Sequence, residues 1–352
     1  MAFAARHARL LLPLIAFAVA AALSAARIGH GAPDFYVFWT AASHWNAPYD
    51  PAIIVALERS IHLTGVWPFV YPPSFLVFVW PFTLAPLKLA YPLWTGLSAA
   101  LYFRAAADVV RPAWAAAVLA LAPVVFFSAE LGQTSLLIGA AVLAGWRLRD
   151  ARPLVAGALF GLAICIKPQA MILAPVILWG RWRMLAGMAA AGLAVVAASL
   201  AFGFERWIEW PHALAAFSKV APGADRANPS ALLPGPLWAA AVASLGLYLA
   251  VRQRNLIGLV GGAFCLTPYA HAYDLAPIAP IATAWLFDPR RWGWDRAAAG
   301  GALLAGLVAT PAAVLAFFIA AALFDQPWWP LRRAAPTPAA VDLKAGGLEA
   351  GG

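Results

Sequence analysis

The sequence predicts an all-α protein, a polytopic transmembrane bundle of about 11–12 membrane segments. Three observations predict it. Of the 352 residues, 64% are hydrophobic and only 11% charged, where an ordinary soluble domain carries roughly 25% charged residues. Apolar runs able to enter a bilayer recur from one end to the other, and in lipid a run can satisfy its own backbone as a helix. The basic residues fall in short clusters between those runs: Arg6/Arg9, Arg104/Arg111, Arg147/Arg149/Arg152, Arg181/Arg183, Arg252/Arg254 and Arg290/Arg291/Arg296. Such clusters mark cytoplasmic loops. The net charge of +9 therefore reports topology and not a nucleic-acid partner.

The first element combines Arg6 and Arg9, an apolar run from Leu10 and "ALSAA". That layout also suits a secretory signal peptide, but the spans that follow favour an uncleaved first helix over 10–27. A first outer loop, 28–88, comes next. Within it Asp50 as an N-cap and Pro51 start "PAIIVALERSIHL", with Ile53, Ile54, Leu57 and Ile61 on one side and Glu58 and Arg59 opposite. This reads as an amphipathic helix on the outer membrane surface. "YPPSFLVFVWPFTLAPLK", 71–88, is apolar enough to enter the membrane, yet counting it as a span reverses the parity downstream. It reads as re-entrant; if it spans, a neighbour such as 169–180 does not.

Further spans are expected over 89–103, 112–128, 133–146, 153–166, 169–180 and 184–204. A second outer loop, 205–229, sets Trp207 and Trp210 at interfacial depth. Spans over 231–251, 255–269, 273–287 and 297–322 complete a single domain, 1–323. Several are shorter than the ~20 residues of a perpendicular span, and Pro81, Pro168, Pro175 and Pro268 offer places to kink. The tail, 324–352, is low in complexity and expected to be disordered, with Trp328-Trp329 as an interface anchor. Cys165 and Cys265 lie in apolar segments at a spacing that fits no metal site.

With the arginines inside, Asp34, Asp50, Glu58, Glu130, Glu205, Glu209, Asp225 and Asp274 sort to the opposite, non-cytoplasmic face. Asp108, Asp150, Asp288 and Asp295 stay among the arginines, where solvated salt bridges explain them. Glycine-rich phosphate loops, zinc spacings, nucleophile elbows and Asp-x-Asp motifs are absent. What remains is a set of polar residues at span ends, each with an ordinary structural explanation. Asp34 can cap the helix after the first span, and Glu130 and Gln133 can satisfy backbone at a helix–helix turn. Lys167 can snorkel to the interface. His271 and Asp274, three apart in "PYAHAYDLAP", can cap a helix start. Together Asp34, Glu130, Lys167, His271 and Asp274 converge on one leaflet. Ionisable groups at membrane depth are costly and face cavities; a cation, an imidazole and a carboxylate there suit a reaction on a lipid phosphate.

The order of these features resembles the GT-C superfamily of integral-membrane glycosyltransferases, and most closely glycosyltransferase family 87. That family includes polyprenol-phosphate-mannose-dependent mannosyltransferases. The resemblance is carried by "PDFYVFWTAASHWNAPYDP", "FVYPPSFLVFVWPF", "ELGQTSLLIGAAVLAGW", "AGALFGLAICIKPQAMILAPVILWGRWR" and "HAYDLAPIAP". Phe35 stands where a charged partner beside the first-loop acid is usual. The resemblance implies a GT-C-type domain with extracytoplasmic amphipathic helices, multi-pass in the cell membrane, its active site facing outside the cytoplasm. It also implies a polyprenyl-phosphate sugar donor, with mannose foremost, and a lipid-linked or glycan acceptor. Asp34 matches the general base, and Lys167 and His271 match positions near the donor phosphate. Gln133, Glu130, Asp274 and Tyr71 join them as expected donor-phosphate or substrate-binding residues. Because the leaving group already carries its phosphate, neither a metal nor a cofactor is expected. A transporter or flippase of lipid-linked sugars would set its polar residues near the midplane and often show internal repeats; no repeat is found.

Overall fold

The computed structural model describes residues 2–28, 34–60, 68–110, 114–220, 227–253, 255–267, 270–291, 293–305, 307 and 310–323, with side chains for all of these except 2–10, 57, 58, 220, 253 and 310. The tail expected to be disordered lies outside them, as do Ile61, Arg111, Asp225, Arg254, Pro268, Trp328 and Trp329, and so do the side chains of Leu57 and Glu58.

The described residues are all-α, without a strand. From the N terminus α1 (Ala2–Arg27) leads to three short helices, α2 (Asp34–Ser43), α3 (Pro51–Ser60) and α4 (Pro73–Val79), and then to α5 (Leu87–Ala106). α6 (Ala115–Leu121) and α7 (Pro123–Glu130) cover the expected span 112–128, bent where Ala122 turns extended ahead of Pro123. α8 (Ser135–Leu148), α9 (Pro153–Ile166), α10 (Ala174–Ile177), α11 (Trp182–Ser199) and α12 (Glu205–Val220) follow. α13 (Pro236–Gln253), α14 (Leu256–Leu266), α15 (Ala279–Phe287), α16 (Gly293–Leu303) and α17 (Thr310–Leu323) complete the order. Proline opens α3, α4, α7, α9 and α13, positions where its missing N–H has no helical partner to lose.

Packing centres on α8, which lies between α5 and α9, while α9 lies along α11 and α1 along α5. α9 and α11 run in the same direction at backbone contact. A Cβ at Gly157 would sit 1.9 Å from the Met184 carbonyl oxygen, one at Gly161 2.4 Å from that of Met188, and one at Gly187 2.1 Å from that of Leu154. Only glycine allows that approach.

Three expected segments differ in the structure. Residues 169–180 are a 3₁₀ turn, Pro168–Met171, and the four-residue α10, because Pro168 and Pro175 break the ladder instead of kinking it. The run 297–322 is two helices, α16 and α17, packed on each other, with Pro311 in the first turn of the second. The stretch from 273 is a 3₁₀ turn, Ala272–Leu275, before α15. Residues 71–88 form α4 and a 3₁₀ turn, Trp80–Leu84. Both ends of that segment lie near the α7–α8 turn: Tyr71 reaches Gln133, and Tyr91 and Trp94 of α5 donate to the Glu130 and Gly132 carbonyls. Among the described residues one helix, Trp182–Phe202, is long and apolar enough to cross a bilayer unaided; other apolar helices are 10–17 residues long.

Candidate active site

The α7–α8 turn fixes the site. Gly132 takes φ +65, and a Cβ there would meet Phe35 Cβ at 2.7 Å and the Tyr91 ring at 2.9 Å. Glycine therefore serves twice, as a left-handed residue and as a gap. Through that gap the start of α2 presses onto the turn, and Phe35 N–H donates to the Leu131 carbonyl at 3.2 Å. The Phe35 ring stacks on Tyr91 and Trp94, with centroids 5.7 and 5.6 Å away. The unexpected apolar residue beside Asp34 is thus the anchor that delivers Asp34 to Gln133.

Asp34 is the first residue of α2, and Gln133 Nε2 donates to its Oδ2. Gln133 Oε1 accepts from the Tyr71 hydroxyl at 3.2 Å and from Thr134 N–H at 3.3 Å. The Tyr71 hydroxyl also lies 3.3 Å from Thr134 Oγ1. Asp34 sits deep in the protein yet keeps part of its surface open. Burial pushes its carboxyl up to about 6; the Gln133 hydrogen bond and the Lys167 charge oppose the rise, and the Asp274 charge adds to it.

Lys167 ends α9. Its ammonium pairs with Asp274 Oδ1 and lies 5.6 Å from the centre of the Tyr273 ring. With 11% of the side chain exposed, it does not snorkel. Asp274 Oδ1 also accepts from the Ser135 hydroxyl at 3.3 Å, and Oδ2 from His271 N–H at 3.1 Å, which caps the 3₁₀ turn. The His271 ring stacks on Tyr273 at 4.8 Å. Glu130 faces elsewhere: its carboxylate meets Arg27 of α1 at 2.5 Å, and no hydrogen bond among the described residues joins it to Asp34 or Gln133.

A cleft lined mainly by apolar side chains opens beside Lys167 and Asp274. Its lining takes in Ile138 and Val142 of α8, Val260, Ala263 and Phe264 of α14, and two further polar residues, Gln169 and Thr267. Sequence reading named neither these two polar residues nor Thr134 and Ser135. The signal for the latter pair was the hydroxyl doublet straight after Gln133 at a helix start.

An enclosed acid, a lysine and an apolar cleft meet where distant segments converge, and a family comparison covers most of those segments. The profile of glycosyltransferase family 87 matches residues 69–289, more than half of the chain. The chain belongs to glycosyltransferase family 87. It is therefore a glycosyltransferase, acting on a donor and an acceptor. The family-87 match takes in Tyr71, Glu130, Gln133, Lys167, His271 and Asp274 and begins after Asp34. No curated protein and no solved structure matches the chain.

Proposed function

We propose that this family-87 protein moves a hexose, mannose by its family resemblance, from a polyprenyl-phosphate donor to a hydroxyl of a lipid-linked or glycan acceptor. The observation that carries the reading is Lys167 at the head of an apolar cleft whose walls are Ile138, Val142, Val260, Ala263 and Phe264. A nucleotide sugar has no use for such walls, whereas a prenyl phosphate has one half for the ammonium and one for the cleft. In the reaction Asp34, as the carboxylate, takes the proton of the acceptor hydroxyl while that oxygen attacks the anomeric carbon. The bond from that carbon to the phosphate oxygen breaks, and prenyl phosphate leaves with one more negative charge. Lys167 turns from Asp274 to meet that charge, an effect strongest where water is excluded. His271 stands beside the phosphate, and Tyr71, Gln133 and Asp274 complete the surroundings, while Glu130, paired with Arg27, stands apart from them. Asp274 is engaged at both oxygens, which favours Asp34 acting by single displacement with inversion over a carboxylate nucleophile.

The domain, 1–323, sits in the cell membrane with this site on the non-cytoplasmic face. Support comes from the Trp182–Phe202 helix and from Leu89, Leu93, Leu97 and Leu101, an exposed stripe four residues apart along α5. The polar groups gather at one end of α8 and not at its middle, against the arrangement of a transporter.

Purified protein in lipid nanodiscs, given labelled polyprenyl-phosphate mannose, polyprenyl-phosphate glucose or nucleotide sugars, tests the reading. Transfer from a prenyl donor supports it; transfer from nucleotide sugars alone overturns it. In whole cells an Asp50→Cys variant reacts with an impermeant maleimide, and labelling only after lysis reverses the sidedness.

A further inference from the structure

An amide has a donor end and an acceptor end, and its neighbours decide which faces where. At Gln133 the Thr134 N–H, a donor only, and the Tyr71 hydroxyl, whose hydrogen turns to suit, point at the same atom, which the backbone donor makes the oxygen. The NH₂ end is then left for Asp34 Oδ2. A flipped amide would set oxygen against carboxylate on one side and donor against donor on the other. Tyr71 cannot drift from this duty. Its carbonyl accepts from the Tyr49 hydroxyl at 2.8 Å, and its ring packs on Phe75 and Phe38 with centroids 4.5 and 4.9 Å away. Among the described residues Asp34 Oδ1 has no hydrogen-bond partner, so one carboxylate oxygen is held and the other is open.

We propose that Gln133 is a positioning residue for the transfer reaction, its amide oriented by Tyr71 so that it clamps one oxygen of Asp34 and leaves the other to the acceptor hydroxyl. This rests on the reading of Asp34 as general base. The clamp favours the charged form of Asp34, because a donor hydrogen bond is stronger to a carboxylate than to the acid. Several other groups act on Asp34: Lys167 from the end of α9 lowers its proton affinity and Asp274 from the 3₁₀ turn raises it. Tyr91 of α5, Tyr36 of α2 and the Glu130–Arg27 pair of α7 and α1 stand around the same point.

The test is an infrared titration of the full-length protein in nanodiscs, with the Asp34 carboxyl band assigned by its loss in Asp34→Asn, run beside pH profiles of kcat/KM. The wild-type band is expected to titrate near pH 6, where burial places the Asp34 carboxyl. Gln133→Leu moves the midpoint up by about one pH unit, the size expected for one hydrogen bond to a charged group. Tyr71→Phe, a single-atom change that carries the test if Gln133→Leu fails to fold, moves it in the same direction by less. The acid limb of kcat/KM rises by the same amounts. Midpoints equal to wild type in the variants overturn the clamp. A midpoint that moves while the acid limb stays put leaves the clamp standing and removes Asp34 as the base.

Discussion

The two ends of α8 hold carboxylates under opposite conditions. At the Arg147 end cations are in surplus. Asp108 pairs with Arg147 and lies 3.8 Å from Arg104; Asp150 lies 3.0 Å from Arg181 and 3.3 Å from Arg149. At the Gln133 end two acids, Asp34 and Asp274, face a single Lys167, and Asp274 has it. Asp34 is left with a neutral amide. The difference separates support from chemistry. A carboxylate paired with arginines holds elements together, whereas an enclosed one without a cation of its own holds its proton up to about 6. Keeping such an acid costs stability, and proteins accept that cost at functional sites.

The comparison breaks if the two ends respond alike to loss of an acid. Asp34→Asn keeps the shape and the capping ability of the residue but cannot take a proton. It is expected to lose transfer by roughly 10²-fold or more, as for loss of a general base. Asp34→Glu recovers little, since the longer chain misplaces the oxygen. Asp108→Asn at the other end leaves transfer within about twofold, because its carboxylate, buried beside Arg147 and Arg104 and not solvated as the sequence suggested, touches no reacting group. Equal losses in the two Asn variants would mean that Asp34, too, is structural.

A second expectation sharpens the comparison through pH. In the folded protein Asp34 holds its proton up to about 6, against 3.8 as the ordinary value. Between these two values the folded state binds more protons than the unfolded one, so the contribution of Asp34 to stability falls as pH rises through that window. Above pH 6 its full cost is present, at most about 3 kcal/mol. Asp34→Asn is therefore expected to raise the thermal unfolding temperature at pH 7.5 and to leave it unchanged near pH 3.5. A variant less stable at the higher pH would contradict the enclosed-acid picture. Transfer by the wild type follows the opposite course and fades as pH drops below about 6.

Much of this layout was legible in the sequence, and what was not has physical reasons. α5, α8 and α9 each stand out as one apolar run ended by a polar residue or a proline. Apolarity cannot tell one long helix from two short ones packed together, which is why 297–322 read as a single element. Proline at 168 and 175 suggested kinks, and with two breaks only seven residues apart no helix of useful length remains between them. Around the site Asp34, Tyr71, Gln133, Lys167 and Asp274 were visible as polar interruptions, but not who pairs with whom. Arg27 as the partner of Glu130, Ser135 as a donor to Asp274, and Phe35 as an anchor depend on contacts between segments far apart in the chain. Sequence spacing carries no record of them.

Lys167 gives the next largest effect. Its ammonium is nearly enclosed and placed by one carboxylate and the Tyr273 ring. Lys167→Met is expected to raise KM for the proposed prenyl donor by about tenfold or more, the scale of one hydrogen bond to a charged group, and to lower stability as well, since Asp274 is then enclosed without its counter-charge. Lys167→Arg restores little, since a planar fork is a poor substitute for a point charge in a fixed site. Full transfer by both variants would separate Lys167 from the donor phosphate.

Salt gives the smallest effect and probes both ends at once. The Arg181 and Asp150 side chains are 44% and 62% exposed, whereas Lys167 and Asp274 are 11% and 13% exposed; Asp108, the partner of Arg147, is itself buried. Ions at about 0.5 M shorten the screening length to only a few ångströms, so they weaken the exposed pairs and reach the enclosed one far less. Arg181→Met should therefore lower stability by about 0.2–1 kcal/mol at low salt, and most of that difference should vanish at high salt. The loss from Asp274→Asn should persist there, because Lys167 is left enclosed without its counter-charge and added ions cannot take the place of the carboxylate. Thermal unfolding of the two variants over a salt series reads this directly. Equal salt dependence would mean that the Lys167 end is as open to solvent as the Arg147 end, and the contrast between them would fall.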